Sequence, residues 1–222
     1  KLIVTMPESM SMERRNLIKA FGAEIVLTPA EEGMMGSIDK AHQLAAMHES
    51  AYIPMQFKNP SNVEMHKKTT AQEVWNDTEG QVDIFVAGVG TGGTVSGVGE
   101  ILKQKKPEVQ IVAVEPADSA VLSGKDPGKH KIQGIGAGFI PEILNREVID
   151  EIYPVQNEEA MQMARNLTRK EGIFSGVSSG AIMHAAIEIG KRPENKNKNI
   201  VAVVCDTGER YLSTPLYNPE SE

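Results

Sequence analysis

The sequence predicts an α/β protein with open, mostly parallel twisted sheets flanked by helices. Two observations carry this expectation. Short apolar runs such as Leu2–Thr5, Val82–Ala87 and Ile200–Val204 alternate with longer stretches of helical period, the pattern of parallel βαβ units. One of these runs passes straight into Gly88-Val-Gly-Thr-Gly-Gly-Thr94, a glycine-rich junction between a buried strand and a helix.

The elements follow in order. Leu2–Thr5 is predicted as a strand. Ser11 caps a helix through Leu17, Ile18 and Phe21, and Gly22 supplies its left-handed stop. Ile25–Leu27 is the next strand, Ser37 starts a helix carrying Ile38, Ala41, Leu44, Ala45 and Met47, and Tyr52–Met55 is a short strand. Gln56-Phe-Lys-Asn-Pro-Ser-Asn62 is polar and broken by proline, so it reads as a functional loop or a domain crossover. Ser61 and Glu64 match a capping box opening a helix to about Trp75. Strand Val82–Ala87, helix Thr94–Lys105 and strand Ile111–Val114 come next. Residues 116–142 have several Gly and Pro and little periodicity, which marks a mobile or active-site loop. Strand Glu151–Val155, helices Glu158–Lys170 and Ser179–Ile189, and strand Ile200–Val204 complete the series.

Composition narrows the function classes. The 222 residues suffice for one large domain or one and a half, and 40% apolar with 24% charged residues excludes a mainly disordered chain. A net charge of −7 with no basic stripe argues against nucleic acid as a partner. The basic stretch Lys191–Lys198 is interrupted by Pro193 and Glu194 and reads as a solvated turn. No apolar run reaches the roughly 20 residues needed to span a bilayer, so no membrane association is expected. The lone Cys205 allows no internal disulfide and suits a reducing, cytoplasmic setting. It reads as a buried thiol at a strand end rather than a nucleophile, because no histidine stands near it in sequence.

Four segments carry chemistry. At the glycine junction, backbone N–H groups can approach an anion closely, and the helix N-terminus adds unpaired donors. Thr91 and Thr94 add hydroxyls that a purely mechanical contact between strand and helix would not need. Gly88, Gly90 and Gly93 also satisfy G-x-G-x-x-G, with Glu115 in the position of a ribose-binding acid, so a dinucleotide remains open beside a terminal phosphate. Phe174-Ser-Gly-Val-Ser-Ser-Gly-Ala181 opens a helix, and Ser179 serves either as its N-cap or as a site hydroxyl. Cys205-Asp-Thr-Gly-Glu-Arg-Tyr211 lies at the carboxyl end of the last strand, the edge where open α/β sheets bind ligands. Ile132-Gln-Gly-Ile-Gly-Ala-Gly-Phe139 suggests backbone lying against a flat ligand. His42, His48, His66, His130 and His184 show no metal spacing and read as structural or surface residues, so no metal is expected.

In order and spacing, Gly90-Thr-Gly-Gly-Thr94, Gln133–Phe139, Gly176-Val-Ser-Ser-Gly180 and Asp206–Ser213 resemble the cysteine synthase (O-acetylserine sulfhydrylase) family of fold-type II pyridoxal-phosphate enzymes. Thr5–Arg15, Gln56–Asn62 and Ser213–Tyr217 resemble it too, so the likeness runs over essentially the whole chain. It implies that Gly90, Thr91, Gly92, Gly93 and Thr94 hold the 5′-phosphate of pyridoxal 5′-phosphate and that Ser178 bonds the pyridine nitrogen. It also implies that Gln56 and Phe57 lie in the substrate loop while Gly134 and Ile135 close over the site. The implied reaction is replacement of the acetoxy group of O-acetyl-L-serine by sulfide to give L-cysteine.

The family's Schiff-base lysine and the Ser/Thr-Gly-Asn loop that follows it have no counterpart here. Lys58, Lys67, Lys68, Lys103, Lys125 and Lys131 all lie in other contexts. No catalytic residue is therefore assigned within the chain, which is expected to be about the C-terminal two-thirds of such an enzyme and inactive alone. Residues 1–57 would be the remainder of a small subdomain, itself incomplete, and residues 58–222 the large phosphate-binding domain. A homodimer and binding of a serine acetyltransferase C-terminal tail are implied as well. The alternatives are cystathionine β-synthase or another fold-type II enzyme, a non-catalytic fragment that binds the tail, and more distantly an NAD-dependent dehydrogenase.

Overall fold

A computed structural model describes residues 1–218, and the chain's contacts gather into two compact units. One holds Lys1–Met55 with the stretch from Thr207 onward, the other Gln56–Asp206. The sequence reading keeps the last stretch with residues 58–206, whereas by its contacts it packs with the first unit. The bonds that hold it there are specific. Glu13 accepts from both the N–H and the Oγ of Ser213, and Arg14 donates to the buried Tyr211 hydroxyl at 2.8 Å.

In the first unit β1 (Ile3–Pro7) and β2 (Glu24–Thr28) pair in parallel, Ile3 opposite Glu24. Between them α1 (Met12–Ala20) is capped by Ser11 and stopped at Gly22, as the sequence predicts. Helix α2 (Gly33–Ala45) begins ahead of the predicted Ser37 start. Ser37 does not cap it, because its Oγ meets Thr28 Oγ1 at 2.8 Å and its carbonyl accepts from Thr5 Oγ1. The strand predicted at Tyr52–Met55 is absent: Met55 has φ 53°, which breaks an extended run.

The second unit is a four-stranded parallel sheet in the order β5-β4-β3-β6, made of β3 (Ile84–Gly88), β4 (Gln110–Pro116), β5 (Glu151–Val155) and β6 (Ile200–Ala202). Ile84 stands opposite Gln110 on one side and Ile200 on the other. The two central strands read as continuous apolar runs because both faces of a parallel sheet are covered. Phe85, Ala87, Ile111 and Ala113 cluster with Val95, Val98 and Leu102 of α5 (Gly93–Lys105). Each fully buried aliphatic or aromatic side chain of this kind contributes about 1.5–3 kcal/mol. The alternate residues Ile84, Val86, Val112 and Val114 face the other way and are just as buried. Helix α7 (Val177–Gly190) packs across all four strands and pairs with α6 (Asn157–Glu171). Strand β6 is shorter than predicted and only half buried, since ladder pairing stops at Ala202 on this edge.

Helix α3 (Pro60–Lys68) corrects the predicted capping box. Asn59 is the N-cap, accepting from the Ser61 N–H at 3.0 Å, and Pro60 occupies the first helical position, where its fixed φ is already helical. Glu64 is engaged by Lys67 instead. The single helix predicted to Trp75 breaks at Thr69 (φ −116°, ψ −82°) before α4 (Thr70–Asp77), with Thr69 Oγ1 bonding back to the Met65 carbonyl. Residues 191–198 form the expected turn, except that Asn195 is buried and donates to the Ile189 carbonyl.

Candidate functional site

The carboxyl end of β3 leads directly into the glycine loop and the first turn of α5. Gly92, at φ 84°, is the N-cap, a left-handed position that suits glycine and turns the chain into the helix. The first-turn N–H groups have no intrahelical acceptors and point out of the helix end. The Gly93 N–H is already engaged, donating to Thr91 Oγ1 at 3.3 Å, so it is less available to an anion than its neighbours.

Two further segments close on this loop. Gly136 N–H donates to the Val89 carbonyl at 3.0 Å and so ties the 132–139 segment to it. A Cβ on Gly90 would lie 2.5 Å from the Gly134 carbonyl oxygen, so the two backbones touch where only glycine fits. Gly134, at φ 99°, lies in turn beside Ser178: a Cβ there would be 3.5 Å from its Oγ. His130 clamps this segment, since its Nδ1 accepts from the Ile132 N–H while its Nε2 meets the Gly136 carbonyl at 2.9 Å. The accepting Nδ1 makes Nε2 the protonated nitrogen. The predicted residues Gly90–Thr94, Gly134 and Ser178 thus form one contiguous surface within the unit.

The predicted serines divide their tasks. Gly176 is the N-cap of α7, so Ser179 is not. Ser179 Oγ accepts from the Cys205 N–H and donates to Asp206 Oδ1, both at 3.0 Å, fastening the chain after β6 to the helix. Among the described residues Ser178 Oγ meets a single weak partner, Cys205 Sγ at 3.1 Å. Cys205 itself is exposed rather than buried, because β6 ends three residues before it.

Of the predicted substrate residues, Gln56 is exposed and offers its carbonyl to Asn62 Nδ2, while Ile135 is buried with its Cγ2 beside Gly88. Phe57 is buried edge-on against Phe139, with ring centroids 5.0 Å apart. Two residues to which the sequence assigns no site role belong to the surroundings of the loop. Asn62 Nδ2 donates to Thr91 Oγ1 at 3.1 Å, and His66 bridges Thr94 Oγ1 (3.2 Å, Nε2) and Thr70 Oγ1 (2.9 Å, Nδ1). Burial holds the His66 imidazole below the usual histidine range and favours its neutral form. His66 was predicted to be structural or on the surface; what could have marked it is its place one turn after Asn62 on the helix that follows Gln56–Asn62.

The dinucleotide reading fails at Glu115. That carboxylate is 2% exposed and accepts from the Leu122 N–H, the Ser123 N–H and the Ser123 Oγ. It gathers the chain that follows β4 and has no side open to a ribose.

A parallel α/β sheet carries a glycine–threonine loop at its carboxyl edge, the place where open α/β enzymes bind ligands. The chain belongs to the pyridoxal-phosphate-dependent enzyme family, whose model matches residues 1–206. It is 54% identical over 219 residues to a cysteine synthase of Staphylococcus aureus, covering 98% of this chain and 70% of that protein. A crystal structure of cysteine synthase from Entamoeba histolytica superposes with a TM-score of 0.91 at 49% identity, covering 98% of this chain and 64% of that one. An O-acetylserine sulfhydrylase isoform 3 from the same organism gives 0.88 at 51%, covering 97% and 65%. The chain thus spans less than two-thirds of the length of these two crystallised chains. Among the described residues no helix is long and apolar enough to cross a membrane.

The residues present fit the family's cofactor. A phosphate ester needs donors only, and the glycine loop offers first-turn amides and two threonine hydroxyls. A pyridine nitrogen needs one donor, and Ser178 Oγ has no strong acceptor of its own.

Proposed function

We propose that this chain supplies the phosphate anchor and ring-nitrogen contact of an enzyme that replaces the acetoxy group of O-acetyl-L-serine by sulfide to give L-cysteine. The observation that carries this reading is the continuity of Gly90, Gly134 and Ser178, which sets a phosphate cradle and a hydroxyl donor at either end of one glycine-walled surface. The relatives named cysteine synthase and O-acetylserine sulfhydrylase supply the reaction. When bound, pyridoxal 5′-phosphate supplies the electron sink that lets the acetoxy group leave.

The chain's own residues bind and orient. Thr91, Thr94 and the free amides of Gly90–Thr94 hold the phosphate dianion. Ser178 Oγ–H would donate a hydrogen bond to the ring nitrogen, with the Cys205 thiol donating to Ser178 in turn. A hydroxyl, unlike a carboxylate, leaves that nitrogen largely unprotonated, which keeps the ring a moderate sink suited to elimination. Gly134 and Ile135 close over the ring, and Gln56 and Phe57 shape the substrate loop. In this reading residues 1–55 with the stretch from Thr207 belong to the smaller subdomain and residues 56–206 to the phosphate-binding one. None of the chain's lysines attaches the cofactor.

Titration with pyridoxal 5′-phosphate, read by protein fluorescence, is expected to saturate, and NAD(H) is expected to give no response. After borohydride reduction the mass of the chain should show no added cofactor. Saturation by NAD(H) in place of pyridoxal 5′-phosphate would refute the reading. The homodimer, the serine acetyltransferase tail and the cytoplasmic setting are parts of the same proposal. Sedimentation equilibrium, titration with a tail peptide and fractionation of the source cell test them in that order.

A further inference from the structure

We propose that Asn62 and His66, one turn apart on α3, are positioning residues that aim the hydroxyl protons of Thr91 and Thr94 into the cradle. Helix α3 would thereby set the preference for a phosphate ester over a neutral group. This rests on the reading that the cradle holds the cofactor phosphate.

The reasoning is a count of donors and acceptors. Thr91 Oγ1 has two lone pairs, and two N–H donors already meet it: Asn62 Nδ2 at 3.1 Å and the Gly93 amide at 3.3 Å. Its own proton is all that is left to offer. Asn62 is itself held in place, because its other amide proton goes to the Gln56 carbonyl at 3.0 Å. At Thr94 the choice lies with the histidine tautomer. A phosphate dianion only accepts, so Thr94 can serve it only by donating, and His66 must then donate through Nε2–H. Nδ1 is left to accept from the Thr70 hydroxyl at 2.9 Å, which gives that proton a partner too. The neutral imidazole, favoured by burial, is the form that can do this. With a bound anion every group in the Asn62–Thr91 and Thr70–His66–Thr94 chains has one role.

The test compares pyridoxal 5′-phosphate with pyridoxal on the full chain, so that the ratio of the two dissociation constants isolates the phosphate. Fluorescence gives the constants and the ³¹P resonance of the bound ester reports its surroundings. Asn62→Leu and His66→Leu are each expected to lower the ratio about tenfold, the scale of one charge-assisted hydrogen bond, and to shift the ³¹P line. His66→Gln, which keeps a donor near Nε2, should restore most of the ratio. In a Thr91→Val background the Asn62→Leu effect should vanish. Thr91→Val and Thr94→Val leave α3 intact, so they and His66→Gln decide the question even where a leucine variant does not fold. Equal binding of the two ligands by the unmodified chain would overturn the function proposed above. A strong phosphate preference that Asn62→Leu and His66→Leu leave unchanged, or that they reduce just as much beside Thr91→Val and Thr94→Val, would overturn this inference alone.

Discussion

Gly90→Ala tests the site at its tightest point. The Gly90 backbone is not in the left-handed region, so alanine meets no conformational barrier, and the cost is one of contact alone. The added Cβ would lie 2.5 Å from the Gly134 carbonyl oxygen, whereas ordinary contact begins at 3.4 Å. The two loops must therefore separate by about 0.9 Å, and neither surface is a side chain that can turn aside. Overpacking of this kind costs about 1–3 kcal/mol, which lowers the melting temperature by about 2–4 °C per kcal/mol in a protein of this size. The same displacement pulls Gly134 from beside Ser178, so affinity for pyridoxal 5′-phosphate should fall too, by about tenfold for each 1.4 kcal/mol of binding free energy lost. Calorimetric melting and fluorescence titration read the two quantities. A variant that melts and binds the cofactor like the unmodified chain would show that the loops are not held in contact, and the site as described would be wrong.

Other substitutions probe separate elements. Glu115→Ala leaves three donors around Leu122 and Ser123 without their buried acceptor. We expect a loss of about 2–3 kcal/mol in urea unfolding and faster amide exchange over 120–125. Asn59→Ala should cost about 1 kcal/mol at the start of α3 while Ser61→Ala stays within about 0.5 kcal/mol; the reverse order would restore the capping box read from the sequence. The Asp83 carboxyl is held below its usual range by Lys106 and then by the Asn199 N–H. Its folded pKa is the lower one, so its contribution is present above the ordinary carboxylate pKa and fades as pH falls through the depressed value. Asp83→Asn should therefore lose stability near neutral pH and show a flatter acid limb, measured by urea midpoints from about pH 7 down to about pH 3.

The features legible in the sequence are those that local chemistry dictates. Val82–Ala87 can only be a buried strand, and Gly88–Thr94 can only hand it to a helix. Helix starts proved less readable wherever a polar side chain had a distant partner. Ser37 reads as a helix start and is instead bonded to Thr28, and Ser179, read as either an N-cap or a site hydroxyl, is bonded to Cys205 and Asp206. Glu115 shows the same limit in the site: its spacing from the glycine loop suggests a ribose ligand, and only the fold brings Leu122 and Ser123 back to occupy it. Asn62, at the end of the Gln56–Asn62 segment, and His66 carry no site role in the sequence because their meaning comes from packing α3 against α5. Cys205 looked buried because an apolar run precedes it, but β6 is an edge strand whose pairing ends before the thiol.

The cradle draws on α3, the loop after β3, the glycine segment at 132–139 and the start of α7, pieces spread through the whole Gln56–Asp206 unit. No short peptide from this unit contains these residues, which span residues 62 to 178, and partial unfolding of any one piece separates them. A ligand that binds here rewards only molecules in which all of these segments are folded together. Its binding energy therefore makes the unit's unfolding more nearly all-or-none, and cofactor occupancy becomes a measure of how completely the chain has folded.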